Sequence, residues 1–380
     1  MVLSLLPYID KNKARIKKIW NELHAMPEKG FGETMTSDYL AGKLEGLGCK
    51  VERGIGRTGL IGTVTGKEPG PVVGIRAEMD ALEHVYGTGS VMKHTCGHDA
   101  NCTMALSAFQ SLVELNLVNK GTLMVMFQPS EENLQGAKEV IKSGRVDNLD
   151  YLLGIHLRPS YELAHSEATS GLLHSATTAL TITVKGKPAH ASRADLGINA
   201  VEIASTIVVK AGLIKMDPML PHSLKVTKFS SGNSSLNVIP DYAEICFDLR
   251  AQSDQGLEML TEALKTVAKG EVASSEIVVD INIVNSAPAA VSHPLIEKTV
   301  ESAIIDLLGE EGFHAPFNTM GAEDFHYYPQ MIEGLQSTIV GIGADVKPGL
   351  HIPEMSFNTD ALLNGTHILA SSALKLLQKG

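Results

Sequence analysis

Apolar side chains recur three and four residues apart across residues 11–25 and 35–47, which predicts two amphipathic helices, the second stopped by Gly48. The rhythm then shortens. Compact apolar runs at 60–65, 72–77, 123–128 and 151–156 read as strands, and residues 101–114 read as a helix between the second and third. This order predicts an α/β catalytic domain with a central mixed sheet covered on both faces. The middle of the chain has a different period. Residues 179–185 alternate as a strand, 198–213 are helical, 223–229 and 242–249 are strands, 255–267 are helical and 275–283 form a strand. That is βαββαβ, the order of a ferredoxin-like unit. From Pro294 the pattern returns to helix (295–307), strand (336–342) and helix (361–378). The expectation is therefore a catalytic domain in two parts, 1–176 and 291–380, interrupted by a small domain at 177–290.

Composition narrows the partners. The chain has 380 residues, 44% hydrophobic and 20% charged, which suits two folded domains rather than a disordered protein. Its formal net charge of −11, with no cluster of Lys and Arg, argues against nucleic acid. No apolar run approaches the ~20 residues of a membrane span. The opening MVLSLLPYID lacks a basic stretch and runs directly into charged sequence, so it reads as a helix or arm rather than a secretory signal. The four cysteines (Cys49, Cys96, Cys102 and Cys246) are too scattered for a disulfide scaffold, and a reduced, cytoplasmic setting is expected.

Chemistry concentrates in a few places. Lys93-His-Thr-Cys-Gly-His-Asp-Ala100 brings a thiol, two imidazoles and a carboxylate together. Gly97 lets the backbone turn so that Cys96 and His98 face one centre, and thiolate with neutral imidazole suits zinc, the thiolate being able to bridge two metals. Asp99 is a candidate to orient a ligand. A loop histidine beside a buried cysteine is the competing reading. Phe127-Gln-Pro-Ser-Glu-Glu132 follows an apolar strand. Two adjacent carboxylates there can divide the labour, one holding metal and its neighbour taking a proton from an acidified water, or they are simply a solvated helix start. His156 and His351 each lie at the edge of apolar sequence, where structural histidines are common. Their joint placement at strand ends of an α/β pattern is what favours a site.

Taken together, Arg76-Ala-Glu-Met-Asp-Ala-Leu82, His94-Thr-Cys-Gly-His-Asp99, Phe127-Gln-Pro-Ser-Glu-Glu132 with Gly136-Ala137, and Met320-Gly-Ala-Glu-Asp-Phe325 resemble the successive signatures of M20 metallopeptidases. The subgroup is that of bacterial N-acyl-amino-acid amidohydrolases, hippurate hydrolases and plant auxin-conjugate hydrolases. The resemblance runs over nearly the whole chain. It implies two divalent ions per chain (zinc, manganese, cobalt or nickel) held by Cys96, His98, Glu132, His156 and His351. It also implies Glu131 as general base, Asp80 as the carboxylate orienting a ligand or the base, and His190 as a lid histidine steadying the oxyanion, sometimes across a dimer. Asn237 and Arg250 match lid residues that hold a substrate carboxylate. His326 is a further substrate-pocket candidate. The small domain would be a lid and a homodimerisation surface.

The sequence departs from the family pattern at Glu78, where aspartate is usual, and at Cys102, where a second histidine is common. Ala191-Ser-Arg-Ala194 lacks a proline and histidine, and Asp248-Leu-Arg250 replaces a Gly-Thr-hydrophobe-Arg pattern. None removes an expected ligand. The implied activity is hydrolysis of a small N-acyl amino acid or related amide by metal-activated water. Alternatives are a dipeptidase or carboxypeptidase of the same fold, a hydrolase using Cys96 as nucleophile, and a non-catalytic metal-containing binding protein.

Overall fold

The computed structural model describes residues 2–232, 235–271 and 276–379. It consists of two compact units. The first contains residues up to 173, together with 291–317 and 324–380; the second contains 174–290 and the short return segment 318–323.

The first unit is built on an eight-stranded mixed sheet. Its order is Lys50–Ile55, Gly59–Thr65, Lys120–Gln128, Glu68–Glu78, Tyr151–Pro159, Gln336–Val346, Ala168–Thr169 and Phe313–His314. The central four (Lys120–Gln128, Glu68–Glu78, Tyr151–Pro159 and Gln336–Val346) run parallel. Parallel neighbours need crossovers and both faces covered, which is why these strands read as continuous apolar runs. Helix His98–Glu114 is buried along nearly its whole length, its small and apolar residues packing under helices Lys13–His24 and Ala361–Leu377. Because Glu68–Glu78 lies between Lys120–Gln128 and Tyr151–Pro159, the chain leaves it toward one side and returns on the other. A crevice forms at the carboxyl ends of strands at such a switch point.

The second unit has the βαββαβ order that the alternation predicts. Its four antiparallel strands are ordered His222–Ser231, Tyr242–Ala251, Ala176–Lys185 and Val278–Ala287. Every second residue of Tyr242–Ala251 is buried, from Ala243 to Ala251. That face packs on helices Ala200–Ala211 and Asp254–Gly270, giving the unit its own core of Leu180, Ile182, Ile245, Phe247, Leu260 and Leu264. Ser275, where the sequence pattern begins the last strand, lies outside the described residues.

Strand Lys50–Ile55 and the hairpin Leu82–Tyr86 with Gly89–Lys93 leave no mark in the sequence pattern, for a physical reason. Of the first, only Ile55 is buried, and the hairpin buries none of its strand residues, so neither carries an apolar run. Helix Gly136–Ile141 starts against the loop that follows Gln128. A Cβ at Gly136 would stand 1.6 Å from the carbonyl oxygen of Pro129, and Gly136 N–H donates to Ser130 O at 3.1 Å. Backbone cannot yield to such a contact. Gly136→Ala is expected to lower unfolding free energy by about 3 kcal/mol or more. Gly42, exposed in helix Thr34–Glu45, is the opposite case, since a methyl group there would meet nothing within 4 Å. Gly42→Ala should raise stability by about 0.5–1 kcal/mol. Urea unfolding of both variants checks the pair, and equal midpoints would contradict this reading.

Candidate metal centre

Residues following three of the parallel strands, and one within the fourth, meet in the first unit. Asp80 comes two residues after Glu68–Glu78, Glu131 and Glu132 come after Lys120–Gln128, and His351 comes after Gln336–Val346; His156 lies within Tyr151–Pro159. Cys96 and His98 arrive from the start of helix His98–Glu114. Gly97 there has φ +86°, a left-handed conformation that glycine adopts without strain.

Cys96 Sγ lies 3.2 Å from His351 Nε2 and 3.5 Å from His156 Nε2. His351 Nε2 is 3.5 Å from Glu132 Oε1, while His98 Nε2 is 3.8 Å from Glu131 Oε2 and 3.9 Å from Glu132 Oε1. The donor atoms of Cys96, His98 and His156 lie within 4.8 Å of one another. So do those of Cys96, Glu132 and His351, and those of His98, Glu131 and Glu132. Cys96, His98 and Glu132 are thus each shared between groups, which suits two neighbouring cations.

The imidazoles are aimed by their outer nitrogens. His98 Nδ1 lies 2.9 Å from the Asp80 carbonyl and 3.2 Å from Asp80 Oδ1, and His156 Nδ1 lies 2.7 Å from the Leu157 carbonyl. Both rings therefore carry the proton on Nδ1 and turn an Nε2 lone pair inward. Buried His98 Nε2 has no hydrogen-bond partner among the described residues, as expected of an atom whose natural partner is a metal. The donors, one thiol, three imidazoles and a carboxylate, match the softness of zinc and its first-row neighbours. His351 is the exposed member, its side chain 55% accessible, and its N–H is fixed by the Thr95 carbonyl at 2.7 Å.

Asp80 is buried, and its Oδ2 accepts from the Glu132 backbone N–H at 3.0 Å. Asp80 thus meets the His98 ring through its backbone carbonyl, with Oδ1 close by, and the Glu131–Glu132 loop through Oδ2. Burial opposes its charge, but the His98 bond and the amides of residues 131 and 132 outweigh that and hold its pKa below the usual range. Burial, reinforced by Glu132, pushes the Cys96 thiol well above its usual pKa.

Other expected residues fall elsewhere. Asp99 does not orient His98; its Oδ2 lies 2.7 Å from His24 Nδ1, 75 residues earlier in the chain. Glu78 turns its carboxylate to Arg76 and, at 3.1 Å, to Asn101 Nδ2, while the Cys102 thiol donates to the Glu78 carbonyl at 2.9 Å. His326 is buried beside Phe325 in the first unit. In the second unit, His190 and Asn237 are brought together, with Asn237 Nδ2 3.5 Å from His190 Nε2. His190 Nδ1 accepts from Ser192 N–H at 3.1 Å, so the ring proton resides on Nε2 and that atom is a donor. Arg250 is engaged, its guanidinium meeting Asp248 at 2.8 and 3.2 Å and the Met320 carbonyl at 2.7 Å. The replacement Asp248-Leu-Arg250 therefore offsets the charge expected to meet a carboxylate.

Sequence reasoning missed Glu33. It is fully buried and bonds the loop before Glu131, accepting from Ser130 N–H at 2.8 Å. A lone glutamate in a loop nearly a hundred residues away carries no sequence signal for that contact.

Residues 74–375 match the family model described as Peptidase family M20/M25/M40. The chain is 31% identical over 379 residues to IAA-amino acid hydrolase ILR1-like 2 of Arabidopsis thaliana, covering 95% of this chain and 85% of that protein. It is 28% identical over 391 residues to hippurate hydrolase of Campylobacter jejuni, covering 99% and 100%. Among solved structures, the Bacillus subtilis YXEP protein, a dinuclear metal binding peptidase from the M20 family, superposes with a TM-score of 0.80 at 24% identity, covering 97% of this chain and 99% of that one. With a buried thiol, imidazole and carboxylate cluster at the strand ends and a match over most of its length, the chain belongs to peptidase family M20/M25/M40, hydrolases of carbon–nitrogen amide bonds.

Proposed function

We propose that the chain hydrolyses the amide bond of a small N-acyl amino acid, with two divalent ions held by Cys96, His98, Glu132, His156 and His351. The observation that carries this reading is the sharing of Cys96, His98 and Glu132 between adjoining donor groups, with Glu131 next to His98 Nε2. The similarity to an IAA-amino acid hydrolase and a hippurate hydrolase supports the substrate class, and the dinuclear B. subtilis relative supports two ions. Zinc, manganese, cobalt and nickel all suit the donors.

When bound, the ions supply Lewis acidity toward water and the amide carbonyl. Glu131 takes the proton of the attacking water and passes it to the leaving nitrogen. Glu132, bonded through its own N–H to Asp80, keeps the loop in register while Glu131 moves the proton. His190, protonated on Nε2 because Ser192 occupies Nδ1, donates to the developing oxyanion. Asn237, Arg250 and His326 remain the proposed substrate contacts, Arg250 with its charge already offset by Asp248. The second unit would act as lid and homodimer surface, consistent with the outer edge of His222–Ser231, which pairs only with Tyr242–Ala251 among the described residues. Light scattering tests this, and a monomer at micromolar concentration would remove the dimer and any action of His190 across it. The cytoplasmic setting is consistent with four free cysteines.

A panel of N-acetyl, N-benzoyl and indoleacetyl amino acids beside dipeptides tests the substrate class. N-acyl amino acids should be cleaved faster than dipeptides, and the reverse ranking would favour a dipeptidase. Chelation should abolish turnover, with recovery on adding back zinc, manganese, cobalt or nickel. Glu131→Gln should lower kcat by about a hundred- to ten-thousandfold while metal content measured by elemental analysis stays the same. A fully active Glu131→Gln enzyme removes the general base. His190→Ala should cost on the order of a hundredfold in kcat with metal retained. Loss confined to KM would make His190 a binding residue instead.

A further inference from the structure

Glu33 stands at the position preceding helix Thr34–Glu45, where a side chain ordinarily caps its own helix, and it does not do so. Glu28 does that instead. Its Oε1 accepts from the N–H groups of Thr34 and Met35, each at 3.1 Å, and its Oε2 accepts from Thr36 N–H at 2.8 Å. The Glu33 carboxylate is thereby released to reach the loop between Gln128 and Glu132. Its Oε1 accepts from Ser130 N–H at 2.8 Å and its Oε2 from the Thr58 hydroxyl at 2.6 Å. The side chain is 0% exposed and its bond to Ser130 is buried, so losing that bond is costly, whereas the Thr58 bond is only part-buried.

Ser130 is an unusual residue to hold. Its φ is +54°, the left-handed region that non-glycine residues rarely enter, and the next residue is Glu131. A strained turn persists only if its surroundings fix it. Two contacts on this turn come from the same N-terminal loop, and a third anchors that loop beside it. Besides the Glu33 bond, Gly30 packs so closely that a Cβ there would lie 2.7 Å from Ser130 Oγ and 3.0 Å from Ser130 Cα. Ala81 N–H also donates to the Glu28 carbonyl at 2.8 Å, tying the loop to the residue after Asp80.

We propose that Glu33 is a positioning residue for the hydrolytic reaction, holding the Ser130 amide and with it the left-handed turn from which Glu131 reaches the centre. The inference rests on Glu131 being the general base. It assigns Glu33 no contact with substrate or metal. Glutamine, whose amide oxygen can still accept from Ser130 N–H while its NH₂ faces Thr58 Oγ, should substitute; alanine should not.

The test uses the full chain as wild type, Glu33→Ala, Glu33→Gln, Thr58→Ala and Glu131→Gln. Hydrogen exchange of peptides covering residues 129–133, read by mass spectrometry on metal-free protein, reports the hold directly. Exchange there should quicken about tenfold or more in Glu33→Ala and stay slow in Glu33→Gln and Thr58→Ala. With the panel amide that the wild type cleaves, Glu33→Ala should lose roughly ten- to a hundredfold in kcat, with KM within about threefold and both ions retained. Glu33→Gln should recover most of that loss, and Thr58→Ala should keep near-wild-type kcat. Wild-type kcat in Glu33→Ala, unchanged exchange at 129–133, or losses in Glu33→Ala and Thr58→Ala that track metal content would each overturn the proposal. Should Glu33→Ala fail to fold, Gly30→Ala disturbs the same turn from outside, and a folded, metal-loaded Gly30→Ala enzyme with wild-type kcat overturns it too. An active Glu131→Gln enzyme removes the base assignment itself. An inactive one beside an unimpaired Glu33→Ala removes only the role of Glu33.

Discussion

Arg76 carries a full positive charge at zero solvent exposure, and the first unit is arranged around satisfying it. Its guanidinium meets Glu78 on its own strand, the Gln128 side-chain oxygen at 2.9 Å and Asp324 Oδ1 at 2.8 Å. Asp324 in turn accepts from Gln128 Nε2 at 2.8 Å and from Ala137 N–H at 2.9 Å. Tyr328 donates to Gln128 Oε1 at 3.0 Å. A buried ion left without one partner costs several kcal/mol, so the network holds only if every member stays in place. Its members are the last residues of two adjacent parallel strands, the start of helix Gly136–Ile141 and the turn at Asp324–His326. Satisfying one charge therefore fixes where the loops carrying Asp80 and Glu131–Glu132 depart.

From those departure points a second tier of bonds takes over. Asp80 joins the His98 ring to the Glu132 amide, and Glu33 joins the N-terminal loop to Ser130. Each is a buried carboxylate accepting from backbone N–H groups. Such bonds place a loop more firmly than exposed ion pairs do, because water cannot replace the partner. The surface pairs, such as Arg53 with Asp38 or Lys185 with Asp280, stand in solvent and contribute little to either fold or site. The precision of the candidate centre thus comes from inside the sheet end.

Much of this is legible in the sequence. The central strands, the long helices and the βαββαβ unit are visible because buried parallel strands and amphipathic helices impose strong periods. The mixed sheet, the family and the gathering of Cys96, His98, Glu132, His156 and His351 follow from motifs placed at strand ends. What escapes is of two kinds. Lys50–Ile55 and the Leu82–Lys93 hairpin bury too few side chains to leave a pattern. The other kind is partnership over distance. Asp99 reads as the partner of a neighbour because sequence shows only neighbours, whereas its partner is His24. Glu33 attracts no reading at all, since nothing local marks a loop carboxylate as buried.

The departures from the family pattern can be weighed the same way, by asking what each side chain now satisfies. Glu78 reaches Arg76 and Asn101, and Cys102 donates to the Glu78 carbonyl, so these two substitutions occur together on one buried contact between strand Glu68–Glu78 and helix His98–Glu114. They act on the frame behind the candidate ligands. Asp248 and Ser192 differ, because both sit in the second unit against residues proposed to meet substrate. The backbone N–H of residue 192 fixes which nitrogen of His190 donates, so the change of side chain there preserves the function proposed for that ring. Asp248 lies against Arg250 through two bonds and leaves a nearly neutral pair where an uncompensated cation was expected. An anionic group approaching that pair would meet attraction and repulsion at similar range, so Arg250 could contribute geometry but little net charge. Of the four departures, this is the one that touches the substrate contact proposed for Arg250 and alters its charge.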